Sequence, residues 1–172
     1  MTVTSGDPKQ IVVGVGDMQT SADPGADVVT YALGSCLCVV VYDPVVKVVG
    51  MLHAMLPGVS SAPHRVIDNP AMFVDLGIPL VVRACLNLGA RYQRLILFAA
   101  GGAKMGFPTS REGRGIGERN IAAMHRSLSE LGLVLTGADL GGKLSRKVSV
   151  SVGTGATFVT GEAGVTALRR SA

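Results

Sequence analysis

The apolar residues of this chain fall mainly in short, nearly continuous runs. That is the pattern of strands covered on both faces rather than of amphipathic helices. The longest runs lie at 37–42 and 45–56, and Asp43-Pro44 between them favours a turn. The two are therefore expected to pair antiparallel. Buried strands are also expected at 11–15 and 94–100, with shorter ones at 17–20, 28–31 and 133–136. Near the end the period becomes two: Val148, Val150 and Val152 alternate with Ser149 and Ser151, a half-buried strand. Gly153-Thr154-Gly155 then reads as a hairpin connection to a returning strand at 156–160.

Helical spacing occurs twice. From residue 71 onward Leu80, Val81, Ala84, Cys85 and Leu88 recur at helical intervals, and Gly89 suits the position after a helix end. Pro79 puts the regular part of this helix near Ile78, or a kink there. The second helix is cleaner, with Ile121, Met124, Leu128 and Leu131 on one stripe, Arg119, Arg126 and Glu130 off it, and Gly132 as its stop. Segments 57–70 and 103–117 are loops rich in Gly, Pro and charge. Eight to ten strands and two main helices, with strands running consecutively before the first helix, predict an α+β fold. The expected domain is single, with mixed or largely antiparallel, sandwich-like sheets flanked by the helices. It should span 11–165, with a flexible leader at 1–10 and a short basic tail at 166–172.

Composition narrows the setting. The hydrophobic share is 48% and the mean hydropathy +0.42. Yet Asp43, Lys47, His53 and Pro57 interrupt every run before the roughly 20 residues that a membrane helix needs. The first ten residues carry Asp7, Pro8 and Lys9 and lack the apolar core of a signal peptide. Three cysteines, an odd number without framework spacing, fit a reducing compartment, so a cytoplasmic protein is expected. A net charge of +4, no Trp and only seven aromatic residues argue against a nucleic-acid partner. Apart from Arg111, Arg114 and Arg119 the basic residues are scattered, and a mildly basic surface suits an acidic protein partner.

The candidate chemistry lies in the paired strands. Cys36 follows Gly34-Ser35 at the start of one and His53 lies within the other, so pairing would bring them together at one end of a sheet. A thiol beside an imidazole is the minimum equipment for nucleophilic catalysis, and a neighbouring His⁺ would lower the thiol pKa. The plainer reading is a buried structural cysteine and a satisfied core histidine, which composition alone favours. The Gly34-Ser35 turn tilts the balance back, because N–H groups on a tight turn can form an oxyanion hole. Thr30, read from the residues alone, is an ordinary β-branched strand residue. Cys36, Cys38, His53 and His64 match no usual zinc spacing, so no metal is expected. Gly101-Gly102-Ala103-Lys104 and Gly113-x-Gly115-x-Gly117 fit neither phosphate-loop pattern and suit a loop for a protein partner at least as well.

Several blocks in one order give the chain a family resemblance. Thr30-x-x-Leu33-Gly34-Ser35-Cys36, Tyr42-Asp43-Pro44 and Gly50-Met51-x-His53-x-Met55-Leu56-Pro57 open it. Gly101-Gly102-Ala103-Lys104-Met105, Ile116-Gly117-Glu118-Arg119-Asn120, Asp139-Leu140-Gly141-Gly142 and Ser145-Arg146-Lys147-Val148 follow. Together they resemble the chemotaxis receptor glutamine deamidases, the CheD family. The resemblance implies a cysteine-dependent amidohydrolase with Cys36 as nucleophile, His53 as base and Thr30 as the orienting residue. It implies that Gly34 and Ser35 support the oxyanion, and that Gly101, Gly102, Lys104, Asn120 and Arg146 contact substrate or partner. It implies no cofactor. The substrates would be the cytoplasmic domains of chemotaxis receptors, and a CheC-type phosphatase would be a partner.

Overall fold

A computed structural model describes residues 7–65, 68–106 and 113–169. Arg111 of the anticipated basic group, the first six residues of the anticipated leader and the last three of the anticipated tail lie outside these. Ten strands and two α-helices occupy the described residues: β1 Lys9–Val12, β2 Asp17–Ser21, β3 Ala26–Leu33, β4 Leu37–Asp43, β5 Val48–Ala54, α1 Val74–Asn87, β6 Ile96–Gly101, α2 Ile116–Glu130, β7 Leu135–Leu140, β8 Arg146–Ser151, β9 Thr157–Gly161 and β10 Gly164–Arg169. They form two five-stranded sheets, ordered β1-β3-β8-β9-β10 and β2-β5-β4-β6-β7. Pairing is antiparallel except at β1/β3 and β6/β7. The expected α+β sandwich with two flanking helices is what forms.

Alternation along β4 shows why its apolar run is continuous. Cys38, Val40 and Tyr42 point between the sheets, against Val28, Val148, Val150 and Phe98. Leu37, Val39 and Val41 point the other way, toward Ile78, Val81 and Met124 of the helices. The central sheet is thus buried on both faces, a three-layer arrangement. Helix α1 comes very close to it: a Cβ on Gly50 would stand 2.5 Å from Cys85 Sγ.

The helix begins at Val74, earlier than Pro79 suggested, and runs through that proline, which sits in its second turn. Its buried face is Val74, Ile78, Val81 and Cys85, while Leu80 is half-buried and Leu88 is exposed. Residues 166–169, anticipated as tail, instead belong to β10 at the sheet edge, and Lys9 and Gln10 of the anticipated leader already pair in β1.

The Asp43-Pro44 turn closes the β4/β5 hairpin. The Asp43 carboxylate, wholly buried, accepts hydrogen bonds from the N–H groups of Val45, Val46 and Arg91 and pairs with Arg94 at 2.7 Å. At the opposite end of the hairpin lie the start of β4 and the end of β5. The ends of β6 and β7 lie beside them through the Leu37–Gly101 and Gly101–Leu140 pairings.

Candidate active site

The chain passes from β3 to β4 through Gly34-Ser35-Cys36. Each carbonyl of this turn accepts a hydrogen bond from a distant segment. Ala103 N–H donates to Gly34 O at 2.9 Å and Gly102 N–H to Cys36 O at 2.8 Å. Asn120 Nδ2 donates to Ser35 O at 2.9 Å. Gly101 approaches so closely that a Cβ there would stand 2.3 Å from Cys36 O. The turn is held by its carbonyls. Among the described residues neither the Ser35 nor the Cys36 N–H donates to a backbone carbonyl.

His53 lies in β5, directly opposite Cys38 of β4. Cys36 stands two residues before Cys38, just ahead of β4, and packs against the same between-sheet cluster as Cys38. From the facing sheet comes Thr30 of β3. Its hydroxyl lies 2.7 Å from Val13 O and 2.7 Å from His53 Nδ1. A carbonyl oxygen can only accept, so the single hydroxyl proton goes to Val13. The hydroxyl oxygen must then accept from His53, which carries its proton on Nδ1. That leaves Nε2 with a bare lone pair, and Nε2 is buried and makes no hydrogen bond. The ring is set as a proton acceptor.

Between the two cysteines on this face, burial decides. Cys38 is fully buried, and burial pushes its thiol pKa far above the usual range. Cys36 is half-buried at the turn and open to approach. Burial raises its thiol pKa too, and its own backbone N–H offsets this in part. Burial also lowers the pKa of His53. Both shifts favour a neutral thiol and a neutral imidazole over the thiolate–imidazolium pair expected from the residue types.

Of the five residues assigned to a substrate or partner surface, only Lys104 is exposed. Gly101 and Gly102 are buried in the frame of the turn. Asn120 is fully buried, and its Nδ2 also donates to Met55 O at 3.0 Å, so one side chain ties the Gly34–Cys36 turn to the end of β5. Arg146 braces the 139–142 turn through Asp139 at 3.1 Å and Gly141 O at 2.7 Å. His64 and His125 are exposed, and among the described residues no three His, Cys, Asp or Glu side chains come together as metal ligands would.

Sequence reasoning missed three parts of the site. The Val13 carbonyl sets the histidine tautomer, yet a backbone group leaves no trace in residue type. Met105 lies against Gly34, where a Cβ would stand 3.5 Å from its Cγ. Ala32 adopts φ 54° where the β3/β8 register shifts beside Thr30. Such a left-handed alanine is uncommon and stores local strain.

Comparison with known proteins bears on this arrangement. The family model for CheD, described as chemotactic sensory transduction, matches residues 55–161. A protein of Solibacter usitatus named probable chemoreceptor glutamine deamidase CheD is 43% identical over 147 residues, 86% of this chain and 86% of its own length. One of Syntrophus aciditrophicus, named probable chemoreceptor glutamine deamidase CheD 1, is 38% identical over 90% of this chain and 95% of its own. One of Pyrococcus horikoshii with the same name as the first is 40% identical over 86% of this chain and 89% of its own.

Proposed function

The chain belongs to the CheD family, and on that premise we propose that it hydrolyses glutamine side-chain amides in the cytoplasmic domains of chemotaxis receptors. The products are glutamate and ammonia. The supporting observation is the Val13–Thr30–His53 chain of hydrogen bonds, which leaves a bare Nε2 on the same face as an accessible cysteine.

As Cys36 Sγ attacks the carboxamide carbon, its proton passes to His53 Nε2 and the carbonyl pair moves onto oxygen. The Cys36 N–H, on a turn held from behind, donates to that oxyanion. The C–N bond then breaks, Nε2–H protonates the nitrogen, and ammonia leaves a thioester. Water gives its proton to Nε2 as its oxygen attacks the thioester. The C–S bond breaks, and the sulfur recovers its proton from Nε2–H. Thr30 keeps the Nδ1 proton in place throughout. No metal or organic cofactor enters any step. Acting on receptor cytoplasmic domains places the protein in the cytoplasm. A CheC-type phosphatase as second partner rests on family membership alone.

One observation favours a second reading, a receptor-docking module without turnover: the Cys36 thiol pKa is raised, not lowered. General-base transfer in step with attack needs no preformed thiolate, which is why the hydrolase reading stands first. The test is ammonia release with mass spectrometry of a receptor cytoplasmic fragment, for the wild type beside Cys36→Ala and Cys38→Ala. Site-specific conversion of Gln to Glu by the wild type and Cys38→Ala is expected, with Cys36→Ala at least about 10³-fold slower. Fragment binding without conversion would establish the docking module instead.

A further inference from the structure

On the helical side of the same sheet end a cleft of about 300 Å³ opens between the segment after β5, the start of α1 and the face of α2 that carries Arg119, Ala122 and Arg126. Its walls include Pro57, Gly58, Asp75, Arg114, Arg119 and Arg126. Arg119 and Arg126 lie about two turns apart along α2. Among the described residues neither enters an ion pair, and neither does Asp75. The first N–H groups of α1 donate to Leu56 O and Pro57 O, so the positive character of the cleft comes from its arginines. None of these side chains takes part in the chemistry proposed for Cys36.

The cleft is tied to the nucleophile through Asn120. Its amide bridges Ser35 O and Met55 O, Arg119 precedes it in the chain, and Pro57 follows Met55 by two residues. One buried side chain thus joins the rim of the cleft to the Gly34–Cys36 turn.

We propose that this cleft binds a carboxylate side chain of the receptor substrate itself. The enzyme thereby selects glutamines that have an acidic residue nearby. The guanidinium fork matches a carboxylate in two parallel hydrogen bonds and stays charged at any working pH. Asp75 on the wall weighs against a doubly charged anion and leaves room for a singly charged one. The inference rests on the deamidase reading, since that reading makes the receptor the substrate.

Binding and turnover test the two separately. In a Cys36→Ala background, adding Arg119→Gln and Arg126→Gln should weaken binding of a receptor cytoplasmic fragment about tenfold at low salt, with the gap closing toward about 0.5 M. In the active chain the same pair should raise KM and leave kcat and the rate of Cys36 alkylation by iodoacetamide within about twofold. Neutralising the acidic residue beside the mapped glutamine should cost the same, and cost nothing further in the arginine variant. Equal binding by the two chains, including none by either, overturns the inference. So does a fall in kcat and alkylation together, which would mark the arginines as structural. Failure of the deamidase reading shows differently, as no ammonia from the parent chain.

Discussion

Thr30→Val removes one oxygen and nothing else of consequence, because valine keeps the shape of threonine. Thr30 and His53 are both fully buried, so water cannot replace the lost hydroxyl. Val13 O loses a donor and His53 Nδ1–H loses an acceptor. Each buried polar group left without a partner costs about 1–3 kcal/mol, so stability should fall by about 2–6 kcal/mol. The imidazole can relieve its share by moving the proton to Nε2, which removes the base. A hydrogen bond worth about 1–2 kcal/mol favours the competent tautomer about 5- to 30-fold, and losing that preference leaves the two tautomers in competition, so kcat should drop at least about twofold.

Thr30→Ser separates the hydroxyl from the packing. It should lose about 1 kcal/mol of stability for the missing methyl and keep kcat within a few-fold. The assays are ammonia release from a receptor fragment, urea unfolding, and ¹⁵N spectra of the imidazole at neutral pH. A folded Thr30→Val with wild-type kcat would refute the reasoning. So would equal losses in the Ser and Val variants, or a spectrum showing the proton on Nε2 in the wild type.

Three further predictions concern pH. The base must be neutral to act, so kcat/KM should rise with pH through the His53 pKa, and burial puts that midpoint below 6.5. Cys36 alkylation should keep climbing above pH 9.0, because burial has raised its thiol pKa beyond that value; a plateau near neutrality would mean a preformed ion pair. At the far end of the hairpin, burial alone would raise the Asp43 pKa. Arg94 and the N–H groups of Arg91, Val45 and Val46 outweigh it and hold the group at about 2 against 3.8. A depressed carboxylate stabilises the fold above its unfolded pKa and loses that contribution as pH falls toward the folded value, here about 2 kcal/mol between pH 4 and 2. Asp43→Asn should therefore destabilise clearly at pH 6 and less at pH 3 by urea unfolding, and an unchanged gap would remove the charge from the account.

Strand positions are legible in the sequence because the central sheet is buried on both faces and writes its runs in Val, Leu and Met. The face of α1 is not, since apolar residues surround much of that helix. Leu80 and Leu88 fit the spacing as well as Ile78 and Cys85 do. The close approach over Gly50 selects between them, and that is a tertiary fact. Strand β10 is equally hidden. Its residues are exposed or half-buried, and it forms by backbone pairing to β9, which any side chain permits.

The site divides the same way. The hairpin turn at Asp43-Pro44 is local, so the nearness of Cys36 to His53 follows from the order of residues. Which cysteine serves does not, because the register sets Cys38 squarely opposite His53 and only depth separates the two. Thr30 reaches His53 from the other sheet across 23 residues of chain, and Asn120 reaches Ser35 across 85. These long-range bonds also explain why Gly101, Gly102, Asn120 and Arg146 resemble a binding surface when read as motifs. Each fixes backbone at the end of the sheet where Cys36 sits, and a substitution at any of them would move the turn. A demand on residue type at these positions therefore follows from holding the Gly34–Cys36 turn and the backbone beside it in place.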